Sequence, residues 1–117
     1  MKLINHQFAF IRDIAKLYNF VENSGDMCTL GWGFRTTEMQ ALFVKTGLSK
    51  TMNSNHPKRL AQDLNFFVKG VLTYKKEDLQ RYGDYWESLS PENRWGGNFK
   101  DSKGEPFEDT DHFERNA

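Results

Sequence analysis

The 117 residues include one cysteine, three prolines and three histidines, and the 16 Lys+Arg are matched by 16 Asp+Glu. Each shortage excludes something. A single Cys28 rules out an intrachain disulfide framework and any cysteine-rich zinc finger. A formal net charge of zero leaves no global field to draw the chain toward nucleic acid or anionic lipid. A nucleic-acid-binding domain needs a basic stripe with interleaved aromatics, and the nearest stretch, Lys69 to Lys76 with Tyr74, is short and reads as a hairpin with solvated lysines. No stretch approaches the roughly 18 apolar residues of a membrane span. Met1 to Gln7 is too broken by polar residues to be a signal-peptide core. The expectation is a chain synthesised for the cytoplasm, with neither nucleic acid nor membrane as its partner.

What is present is core-forming material. Ten Phe, four Tyr and three Trp argue against disorder. At this length a single domain over 1–117 is expected, compact to a radius of gyration of about 13–14 Å. It buries one core and has no room for separate cofactor and substrate domains.

Ile4, Phe8, Ile11, Ala15 and Tyr18 recur at helical spacing, with Ile14, Leu17 and Val21 widening the face. They predict a helix over roughly 5–23 that lays this broad face on the core and stops at Asn23-Ser24-Gly25. Met27 to Phe34 reads as a strand. Thr37 and Gln40 form a capping-box pattern opening a helix that Gly47 ends. Residues 48–58 lack periodicity and form a loop. Arg59 to Tyr74, broken at Lys69-Gly70, reads as a β-hairpin. Leu79, Tyr82, Trp86 and Leu89 mark another helix. Trp95 to Phe99 reads as a strand after a turn, 101–106 as a solvated loop, and Phe107 to Glu114 as a return to the sheet. Mixed helices and strands with hairpin-type links favour α+β: a small antiparallel sheet flanked by helices.

With so few histidines, each can be placed. His6 lies among polar neighbours on the first helix and reads as a surface residue. His56 stands in Ser54-Asn55-His56-Pro57 at the mouth of a strand, seven residues before Asp63. Asp63 is an acid inside the apolar run from Leu60 to Phe67, costly to bury unless a cation or several donors satisfy it. His112 lies in the acidic strip Asp109-Thr110-Asp111-His112-Phe113-Glu114. Two histidines and one carboxylate make a common catalytic zinc shell, with one position left for water. The same residues also fit a hydrogen-bonded strand aspartate and two unrelated histidines, and spacing alone does not decide between these.

Taken in order, Gly33-Phe34-Arg35-Thr36 with Gln40, Ser54-x-His56-x6-Asp63, Trp95-Gly96-Gly97-x-Phe99 and Asp109-x-x-His112 resemble the zinc peptidases of the D-alanyl-D-alanine carboxypeptidase (VanY-like) group. The likeness is closest to the phage endolysins that cleave L-alanyl-D-glutamate bonds in peptidoglycan, and it spans roughly 31–114. The resemblance implies a fold shared with hedgehog-type domains, with His56, Asp63 and His112 as ligands of a Zn2+ ion. It also implies Asp109 as the general base, with Asp111 and Glu114 as competitors, and Arg35 as the group that meets the oxyanion. Ser54 would hydrogen-bond near the substrate or the zinc-bearing loop, and Trp95 with Gly96-Gly97 would either line the cleft against the substrate or serve as core aromatic and turn. On an ideal strand Asp109 and His112 point to opposite faces, so the assignment requires a turn or bulge between them. One departure is Arg59, which stands where the group usually has glycine.

The implied activity is zinc-dependent hydrolysis of a peptide bond in the peptidoglycan stem peptide, by a monomeric endolysin that waits in the cytoplasm and acts on the wall after release. A D-alanyl-D-alanine carboxypeptidase is the alternative within the class. A non-catalytic, zinc-bearing binding module is the alternative outside it.

Overall fold

The computed structural model describes residues 1–117. In chain order the elements are α1 (Leu3–Asn23), β1 (Met27–Leu30), α2 (Thr37–Lys45), β2 (Ala61–Val68), β3 (Val71–Thr73), α3 (Lys76–Leu89), β4 (Asn93–Trp95), a 3-10 turn (Gly96–Asn98) and β5 (His112–Arg115). All strand pairs are antiparallel, in the order β1-β2-β5-β4, with β3 also beside β2. The α+β expectation holds. β2 is the organising strand. It pairs with β1 along one edge, and on the other with β5 through Ala61–Asp63 and with β3 through Phe66–Val68. The β2–β3 turn falls at Lys69-Gly70, where both residues have positive φ (54° and 78°), as the favoured two-residue hairpin turn requires.

The core lies between this sheet and the two longer helices. Phe10, Ile14, Leu17 and Val21 of α1 meet Leu79, Tyr82 and Trp86 of α3 and Leu64, Phe66 and Phe113 of the sheet. Phe66 stacks on Tyr82 with centroids 4.9 Å apart, and Phe10 meets Trp86 edge-on at 5.6 Å. The predicted core face of α1 is partly wrong: Ile4, Phe8, Ile11 and Ala15 are exposed. The helix carries two apolar stripes, and packing takes the one that includes Phe10. Asp13 shares that buried side because Asn93 Nδ2 donates to it at 3.0 Å, sparing it the cost of an unpaired charge.

Other boundaries shift in ways that bear on the site. The strand after α1 ends at Leu30 instead of running to Phe34, and 31–36 is irregular. The N-cap of α2 is Thr36, not Thr37; its side chain accepts from the Met39 amide at 3.1 Å. Gln40 is therefore no part of a capping box and turns inward, fully buried. The expected strand 95–99 is the end of β4 plus the 3-10 turn, and the expected return 107–114 is strand only from His112.

Candidate metal centre

Asp63 and His112 face each other across the β2–β5 ladder, so their side chains leave the sheet on the same side. His56 arrives from the turn just before β2, where its amide donates to Ser54 Oγ at 3.2 Å and its carbonyl accepts from the Arg59 amide at 3.1 Å. That turn leaves Arg59 at φ 59°, in the left-handed region, and its guanidinium lies over the Phe34 ring at 4.0 Å. The backbone thus gives a reason for glycine at this position, and shows what the arginine does in its place.

The three side chains converge. His112 Nδ1 lies 3.0 Å and His56 Nε2 3.4 Å from Asp63 Oδ1, and one donor atom from each residue lies within 4.8 Å of the others. Both histidines are buried, at 3% and 7% exposure. Burial pushes the Asp63 carboxyl up, but hydrogen bonds and charge from His112 and His56 outweigh it and hold the carboxyl at about 2.

The outer ring nitrogens reveal what the inner ones are for. His56 Nδ1 lies 2.6 Å from the Gly33 carbonyl oxygen, which can only accept, so Nδ1 carries a proton and Nε2 is the nitrogen turned toward Asp63. His112 Nε2 donates to Glu114 Oε1 at 2.7 Å. Arg94, opposite Glu114 in the β4–β5 register, donates to Oε2 at 2.9 and 2.7 Å. Burial raises the Glu114 carboxyl, yet His112 and Arg94 bring it down to about 2. Carbonyl- and carboxylate-held imidazoles around an N, N, O donor set are what a zinc ion uses, so the residues present fit this metal. Without a metal, burial disfavours the His112 cation, but Asp63 and Glu114 override it and raise the ring to about 10.

The required turn before His112 is present. The His112 amide donates to the Asp109 carbonyl at 3.0 Å, closing 109–112 into a turn. Thr110 Oγ1 pins this turn to the Tyr74 carbonyl at 2.7 Å, and Gly96 lets it approach, since a Cβ there would sit 2.0 Å from Asp109 O. Asp109, Asp111 and His112 all line one open cleft of about 740 Å³, together with Arg35, Ser54, His56 and Asp63. Burial first, then the Asp109 carboxyl and the charges of Asp63 and Asp109, hold the Asp111 carboxyl well above the usual carboxylate range. Glu114 also borders the cleft, but both its oxygens are engaged and it is not free to act as a base.

Arg35 is 7% exposed, on the irregular stretch after β1. Its Cζ lies 4.4 Å from the Phe43 ring and 5.3 Å from Trp32, and Nη1 donates to Gln40 Oε1 at 2.7 Å. Gln40 is itself fixed, donating to Ser49 Oγ at 2.8 Å and the Thr51 carbonyl at 2.7 Å. Burial lowers the Arg35 pKa against the opposing pull of Asp63 and Asp109, and its Nε is buried with no partner in the protein.

Two expectations need correction. Trp95 is fully buried, donates from Nε1 to the Thr110 carbonyl at 2.9 Å, and packs where Gly83 and Gly97 leave no room for a Cβ; it supports the 109–112 turn from within the core and cannot touch a substrate. His6 is not a free surface residue: its Nδ1 accepts from Arg115 Nε at 2.9 Å. Sequence reasoning missed Glu114 as the partner of His112, although a His-x-Glu spacing on one strand face was a usable signal. Gln40 was singled out beside Arg35 only through the resemblance, and Arg94 gave no signal because its role depends on the β4–β5 register.

No family model matches this chain, and no curated protein matches it in sequence. The fold is similar to the crystal structure of Serratia marcescens L-Ala D-Glu endopeptidase ChiX, with a TM-score of 0.56 and 24% sequence identity. The match covers 75% of this chain and 65% of that one.

Proposed function

We propose that the protein is a zinc-dependent peptidase of the peptidoglycan stem peptide, cutting between L-alanine and D-glutamate in the manner of an endolysin. The observation that carries this reading is the His56–Asp63–His112 cluster, with each imidazole held from behind by an acceptor. The named activity of the similar structure supports the choice of substrate.

His56, Asp63 and His112 would hold a zinc ion, which would supply a water of lowered pKa and a Lewis acid for the scissile carbonyl. Asp109 takes the proton of the attacking water and returns it to the departing amine as the C–N bond breaks. The buried Arg35 guanidinium, steadied by Gln40, meets the negative charge that develops on the carbonyl oxygen. Ser54 shapes the loop that presents His56.

The direct test is mass spectrometry of purified peptidoglycan after incubation with the protein, with chelator, and with chelator followed by zinc. New L-alanine carboxyl ends and D-glutamate amino ends, lost with chelator and restored by zinc, are the expected outcome. Released D-alanine would assign a carboxypeptidase. Bound zinc without product from several wall types would leave a binding module.

A further inference from the structure

Zero net charge conceals a local asymmetry along α1. Phe10, Ile14, Leu17 and Val21 face the core. Roughly 120° around the axis, at 100° per residue, runs a second stripe of Ile4, Phe8, Ile11 and Ala15. Ile4 is 48%, Phe8 50% and Ile11 61% exposed, and no element of the fold covers them. Arg12 and Lys16 are exposed on the flank of this stripe away from the core, and neither forms an ion pair. The only acid within the helix before Glu22 is Asp13, which is turned inward to Asn93. The exposed surface of α1 up to Glu22 is thus apolar, polar or cationic, never anionic.

We propose that this face of α1 docks on a bilayer bearing anionic phospholipid. Ile4, Phe8 and Ile11 sink between headgroups while Arg12 and Lys16 meet lipid phosphates, the arrangement of an interfacial amphipathic helix. Charge selects this occupant over a second copy of the chain. Stripes paired across Ile4, Phe8 and Ile11 would bring two sets of cations together, with the exposed Glu22 of each helix 11 residues beyond Ile11. The stripe extends only about 16 Å at 1.5 Å per residue, so the docking is shallow and reversible. It is independent of the cleft and its chemistry.

The test is co-sedimentation of the full chain with vesicles of phosphatidylcholine alone and with added phosphatidylglycerol. Three proteins are compared: the natural sequence, Arg12→Gln with Lys16→Gln, and Ile4→Ser with Ile11→Ser. All four positions are exposed, and thermal melts confirm that each variant is folded. The natural sequence is expected to sediment with anionic vesicles and not with neutral ones. Removing the two cations should weaken binding about fivefold for each charge. The serine pair should weaken it tenfold or more with every cation still in place. No binding to anionic vesicles would overturn the proposal. So would serine variants that bind like the natural chain, or a solution dimer that the serine changes dissolve, which would make a second copy the occupant.

Discussion

Glu114 holds His112 from behind: its Oε1 accepts the Nε2 proton at 2.7 Å, while Arg94 occupies its other oxygen. This carboxylate never reaches the metal position, yet it sets which nitrogen of His112 faces Asp63. Replacing it by glutamine keeps the shape and removes the charge. Glu114→Gln should weaken zinc affinity about 10- to 100-fold, read by competition with a calibrated chelator. Unchanged affinity would reduce the pair to a structural contact.

Asp109 lines the cleft without a hydrogen-bond partner in the metal cluster, so its loss should separate metal binding from turnover. Asp109→Asn should retain stoichiometric zinc and the fold while losing about 10²–10⁴-fold in kcat. If Asp109→Asn turns over normally and Asp111→Asn does not, the base is Asp111. Changing His56 or His112 should instead lose metal and stability together.

Gln40 tests how far Arg35 depends on being held. Gln40→Leu strips Arg35 Nη1, Ser49 Oγ and the Thr51 carbonyl of a shared partner. It should destabilise the fold by about 1–3 kcal/mol. It should also lower kcat by up to about 10²-fold, with a smaller effect on KM, because a misplaced guanidinium weakens the transition state more than the bound substrate. A raised KM with kcat unchanged would argue instead that Arg35 binds substrate and transition state equally.

The metal-free and zinc-loaded proteins should respond differently to alkali. The His112 ring is raised from 6.5 to about 10 in the metal-free fold, so its contribution is complete below pH 6.5 and disappears as pH rises toward 10. Asp63 and Glu114, each lowered to about 2, contribute above the ordinary carboxylate range and lose that contribution as pH falls toward 2. Melting temperatures of chelator-treated protein should therefore decline between pH 6.5 and 10. The zinc-loaded protein should hold, because metal binding has already displaced the His112 Nδ1 proton and tightens as pH rises. Parallel curves would mean that the metal does not sit on His112.

The α+β architecture and the hairpin at Lys69-Gly70 were legible because period-2 runs and turn residues are local signals. Scarce histidine and a carboxylate within an apolar strand made His56, Asp63 and His112 candidates, but only the family resemblance chose a shared ligand set over unrelated side chains. Where reading failed, two local patterns competed. Either stripe of α1 could have been the buried one, and only the positions of α3 and the sheet decide for Phe10. Thr36 and Thr37 are both competent caps, and moving the cap by one residue converts Gln40 from a backbone clasp into the support of Arg35. Trp95 sits beside the cleft sequence but points away from it, since Gly83 and Gly97 open a socket that no linear pattern announces.

β5 is the last strand in the chain, yet it lies between β2 and β4 and contributes both His112 and the glutamate behind it. A growing polypeptide can assemble the β2–β3 hairpin early, with His56 and Asp63 already made. It still has no completed centre until 112–115 leave the ribosome and slot between two waiting edges. Any nascent chain stopped short of residue 112 would carry His56 and Asp63 without their third partner, so the three-residue centre forms at one step or not at all.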